Sequence, residues 1–186
     1  MAFLVLGLVT FFFPHVLREL NLRDRLRKQL PNVNSYIGIY SLLSFTGLVL
    51  IIWGKATANF HMIWEPPFAQ RYISSFLMIP AFILLVSGNI RAGYIRWHVR
   101  NPMLLGVILW AVAHLWANGD LASVVLFGSF AAWGGLKFAT LYHLAPLLEP
   151  ELKWLWRDLL AVILGSIIYV MVYVSHGQLF GVGLAI

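Results

Sequence analysis

Six histidines are the residues of this chain best equipped for chemistry: His15, His61, His98, His114, His143 and His176. An imidazole can ligate a metal, carry a proton or hydrogen-bond a buried carbonyl. Competing donors are scarce. There is no cysteine, which excludes thiolate ligation, iron–sulfur clusters, disulfides and thiol catalysis. The seven Asp and Glu residues all fall in connections or at the ends of apolar segments, whereas a carboxylate-coupled ion transporter carries such groups in mid-membrane. Neither a Gly-rich phosphate loop nor a Gly-x-Ser-x-Gly nucleophile motif occurs.

The elements that must hold these imidazoles are apolar helices. The 186 residues are 61% hydrophobic and 11% charged, where soluble domains carry roughly 25% charged residues. This is the composition of an integral membrane protein, and the expected fold is an all-α bundle of transmembrane helices in a single domain over 1–186. Abundant Trp, Tyr and Phe suit two lipid–water interfaces. Six segments reach spanning length: 1–17, 36–53, 72–90, 102–118, 121–142 and 158–176. The first has no basic residue before it and no cleavage site after it, so it reads as a retained helix. Asn118-Gly119-Asp120 closes a tight hairpin between the fourth and fifth spans, with Asp120 as the expected N-cap. Ser41, Ser44 and Gly47 share a face suited to helix packing. Pro14 and Pro80 predict kinks.

Charge predicts orientation. Arg18, Arg23, Arg25, Arg27, Lys28, Arg91, Arg96, Arg100, Lys153 and Arg157 lie in the odd connections, and only Lys55 and Arg71 in the even ones. Both termini are therefore expected on the non-cytoplasmic side. The formal charge of +6 reports topology, not nucleic-acid binding. The basic stretch 22–31 reads as a solvated loop that sets topology, with an anionic-lipid site as the alternative.

Depth sorts the histidines. At about 1.5 Å per residue through a core of about 30 Å, His15 lies about 20 Å from the outer side and His114 about 18–20 Å from the cytoplasmic side. His143 and His176 fall at boundaries, and His61 and His98 in connections. Two deep imidazoles on different helices can take the two axial positions of a b-type haem. Its propionates would need cations near an interface, such as Arg18, Arg96 or Arg100. A structural imidazole bonded to a backbone carbonyl and a proton-handling group are the other uses, and the residues alone leave all three open.

Longer stretches carry a family resemblance. "HVLR" at 15–18, "YIGIYSLLSFTGLVLIIWG" at 36–54, "WEPPFAQR" at 64–71, "RNPMLLGVILWAVAHLWANGD" at 100–120, "WRDLLAVILGSIIY" at 156–169 and "HGQLFGV" at 176–182 together resemble the NnrU family of bacterial membrane proteins over essentially the whole chain. That family is related to the plant and cyanobacterial 15-cis-zeta-carotene isomerase, a membrane protein described as holding a b-type haem through two histidines. The resemblance implies haem b with axial ligands His15 and His114, the pair that depth also selects. Trp110 and Asn118, one turn before and after His114, would then shape the pocket, and Arg18 and Arg100 would meet the propionates. It further implies a bacterial inner membrane location and a role in nitrite and nitric oxide metabolism, with NO as a ligand. The alternative is redox-gated cis–trans isomerisation of a carotenoid, and the third reading is a structural membrane protein without a cofactor. One departure stands out. Relatives read Arg-His-Pro where this chain has Arg100-Asn101-Pro102, and Asn can neither ligate iron nor carry a proton comparably.

Overall fold

The computed structural model describes residues 1–66, 71–91, 93–142 and 154–181. His143, Lys153 and parts of the "WEPPFAQR" loop and C-terminal tail lie outside these residues. The described chain is helical: α1 (Ala2–Val16), α2 (Arg23–Gln29), α3 (Val33–Ala56), α4 (Arg71–Asn89), α5 (Tyr94–Val99), α6 (Pro102–Ala117), α7 (Leu121–Tyr142) and α8 (Trp154–Phe180). Among the described residues the only β-type pairing is an isolated bridge between Met62 and Asp120. Each of the six apolar segments expected from sequence coincides with a helix. Four of them, α3, α4, α7 and α8, are long and apolar enough to cross a membrane, while α1 and α6 are shorter. Side chains such as Phe76 (72% exposed) and Val174 (78% exposed) face outward, as lipid-facing residues do.

The basic stretch after α1, expected as a loop, contains a helix. Leu22, Leu26 and Leu30 recur every four residues and are half-buried, while Arg23, Arg25, Arg27 and Lys28 are exposed. That periodicity makes α2 amphipathic. The chain enters it through a Schellman turn. One further helical bond, Leu20 N to Val16 O, follows α1. Leu22 N then donates to Leu17 O at 2.9 Å and Asn21 N to Arg18 O at 3.0 Å. Asn21 takes the left-handed position of that motif, at φ 55°.

The residues divide into two compact units, Met1–Trp64 with Asp120–Leu126, and Glu65–Gly119 with Phe127–Ile186. In the first, α1 and α3 run antiparallel in backbone contact. A Cβ at Gly7 would strike Leu50 and Ile51, one at Gly47 would strike Phe11, and one at Gly54 would strike Leu4. Small residues let membrane helices approach this closely. The expected packing face is thus corrected. Ser41 is exposed, and the seam runs through Gly47, Ile51 and Gly54, all buried.

In the second unit α4 is central, with α6 and α8 both antiparallel to it. Gly106 meets α4 at Ala81 and Leu85, Gly88 of α4 meets Met103, and Gly165 of α8 meets Ile83. The Asp158 carboxylate accepts from Tyr94 N at 2.7 Å and from Ile95 N, tying α8 to the start of α5, and glycine at 93 leaves room for it.

Candidate functional site

His15 lies near the end of α1, half-buried. Its Nδ1 is 2.6 Å from the carbonyl oxygen of Phe11, one turn back. A carbonyl only accepts, so Nδ1 carries a proton, and the ring in its neutral form keeps its lone pair on Nε2. The ring stacks on Phe11 with centroids 4.5 Å apart and meets Tyr40 of α3 at 5.1 Å.

His114, in the second unit, repeats this arrangement. Its Nδ1 donates to Trp110 O at 2.8 Å, and its ring stacks on Phe127 of α7 at 4.5 Å. Trp110 tilts against His114 at 5.2 Å and packs edge-on against Phe127 and Phe130. At the other end, both the backbone N and the Nδ2 of Asn118 donate to His114 O, each at 2.9 Å. The four-residue spacing of Trp110, His114 and Asn118 is therefore a hydrogen-bonded ladder. Trp110 packs against the imidazole, and the Asn118 amide nitrogen closes the end of the helix.

Arg18 stands one turn after His15 and opens on a surface cleft. Arg100 stands before α6, some 20 Å of helix rise from His114. Its guanidinium donates to Tyr142 O at 3.0 Å and covers the Tyr142 ring at 4.4 Å, with a backbone φ of 63°. The neighbouring Asn101 leaves its Nδ2 buried without a hydrogen-bond partner.

Of the remaining histidines, His61 and His98 are exposed. His98 makes the same bond to Tyr94 O at 3.0 Å, so the bond alone does not mark a site; His15 and His114 add a stacked aromatic wall on an apolar helix. His176 is half-buried, with its ring 4.9 Å from that of Phe180. Gly106 and Gly165 meet α4 at one level; His114 and His176 follow them by eight and eleven residues, roughly 12 and 17 Å along parallel helices. This common reference on α4 is a tertiary fact that no local pattern supplies. Phe127 and Tyr40 were missed for the same reason. The Phe11 to His15 and Trp110 to His114 spacings were readable. Among the described residues no three His, Asp or Glu side chains gather as a metal centre.

Asp120 is the N-cap expected. Its carboxylate accepts from Ser123 N at 3.0 Å and Ser123 Oγ at 2.5 Å, and pairs with Lys55 Nζ at 2.8 Å. Burial alone would raise this carboxyl. The bonds from Lys55 and Ser123 together outweigh it and hold the group below its ordinary value.

A family model described as "NnrU protein" matches residues 3–184. No curated protein and no solved structure matches the chain.

Proposed function

The chain belongs to the NnrU family, and on that premise we propose that it is a haem-b-binding protein of the bacterial inner membrane. It uses His15 and His114 as axial ligands and serves nitrite and nitric oxide reduction as a redox component. The observation that carries this reading is the shared imidazole geometry. Each ring holds an Nδ1 proton against a carbonyl one turn back, and each is walled by a stacked aromatic. Iron-binding imidazoles need this tautomer, and a fixed Nδ1–H bond orients the ring and raises its basicity. The donor set fits a haem: two nitrogen donors on apolar helices, with Trp110, Phe127 and Phe130 able to exclude water around His114. When bound, haem b supplies a one-electron couple and an iron that takes NO. The finer topology belongs to the same proposal. Six helices cross, both termini lie outside the cytoplasm, and the short α1 and α6 meet the bilayer with help from flanking interfacial residues.

The test is the absorption spectrum of detergent-purified protein expressed with added haem. A Soret band with sharp reduced α and β bands is expected. His15→Ala and His114→Ala should each lower haem occupancy or shift the spin state, while His61→Ala should do neither. A colourless wild type, or unchanged spectra in both variants, rejects the assignment. Exposure of the reduced protein to NO should shift the Soret band. Turnover of tri-cis zeta-carotene by reduced protein would instead favour the isomerase reading.

A further inference from the structure

The turn between α1 and α2 gathers charge where the chain leaves its apolar segment. An open cleft of about 530 Å³ is lined by Arg18, Asn21, Arg23 and Asp24. The Schellman bonds fix the backbone that carries these side chains, so the cleft is built by a defined turn. Arg18, Asn21 and Arg23 are all exposed, presenting two guanidinium forks and an amide. Guanidinium forks match the oxygens of phosphate better than an ammonium does. Asp24 offsets one of the two charges and leaves the lining net positive. Beyond the cleft, Arg25, Arg27 and Lys28 extend the exposed positive face of α2, while Leu22, Leu26 and Leu30 are half-buried on the other. A short basic helix with a leucine face, at the end of an apolar helix, has the chemistry of the headgroup layer.

We propose that this cleft is a phosphate site occupied by the phosphodiester of an anionic membrane lipid, with Arg18 and Arg23 as its principal contacts and Asn21 as a further donor. The site shares Arg18 with the expected propionate contacts and otherwise uses residues apart from the imidazoles, so phosphate and propionate are separated by the experiment.

The experiment titrates the detergent-purified full chain with dihexanoyl phosphatidylglycerol, dihexanoyl phosphatidylcholine and inorganic phosphate. Phosphatidylglycerol should bind and phosphatidylcholine should not. Arg18→Gln and Arg23→Gln should each weaken binding about fivefold, with helix content by circular dichroism unchanged. Arg27→Gln, on α2 outside the cleft, should weaken it less. Equal binding of both lipids overturns the proposal. So does an Arg27→Gln loss as large as that of the cleft variants, which would mean a diffuse surface potential. Competition by inorganic phosphate at equal concentration supports the phosphate chemistry and overturns the lipid as its source. Loss of bound haem in Arg18→Gln/Arg23→Gln, with lipid binding unchanged, overturns it in favour of propionates.

Discussion

At the scale of single residues, several polar side chains are committed to backbone. His114 donates to one carbonyl and has its own carbonyl capped twice by Asn118, while Asp158 accepts from successive amides. Asp120 adds an ion pair, and its pH behaviour follows from the direction of its shift. Its carboxyl is held below the ordinary value of 3.8. The stabilisation is therefore present in full above that value and is lost as pH falls through the depressed one. Asp120→Asn should lower the thermal midpoint of the purified protein near neutral pH. The difference from wild type should close as the pH drops below about 4. A gap that is unchanged at low pH would mean that the carboxylate's charge is not what stabilises the cap.

At the scale of elements, glycines set the helix seams, and the consequence is a pair of substitutions of opposite sign. At Gly54 a Cβ would fall on the Leu4 backbone, so Gly54→Ala must push α1 and α3 apart, at about 1–3 kcal/mol or more. At Gly38, in the same helix, a Cβ meets nothing within 4 Å. Gly38→Ala should therefore stabilise by roughly 0.5–1 kcal/mol through backbone entropy. Thermal midpoints of the two variants measured side by side check both signs. This scale also shows what a sequence carries. The hydropathy of the six apolar segments located their helices, because burial from water acts along the chain. The amphipathic α2 was visible as leucines spaced by four, yet its charge density read as a loop. The Gly54 to Leu4 and Gly93 to Asp158 contacts join residues far apart in sequence, and no local pattern announces them. For the candidate site, the Trp110, His114 and Asn118 spacing was legible as a motif. Its hydrogen-bonded logic, and the Phe127 and Tyr40 walls supplied by other helices, were not.

At the scale of the whole molecule, the absence of cysteine makes the proposed topology directly measurable. Single cysteines introduced at Lys28 and at Asn59, both exposed, should react from opposite sides of sealed inverted vesicles with a membrane-impermeant maleimide. Lys28→Cys should label from the cytoplasmic face and Asn59→Cys only after the vesicles are opened. Labelling of both from one side would reject the six-crossing arrangement, since one helix, α3, separates them.

The pairing of Lys55 with Asp120 has a consequence in time. The two residues are 65 positions apart, and at about 5–20 residues per second their synthesis is separated by roughly 3–13 s. Contacts between α1 and α3 can form as soon as both helices have emerged, but Lys55 waits as an uncompensated ammonium at the end of its helix until Asp120 is translated. During that interval the nascent hairpin carries one more free cation at this end than the finished protein does. Arrival of the aspartate cancels that cation and fastens the hairpin in the same event.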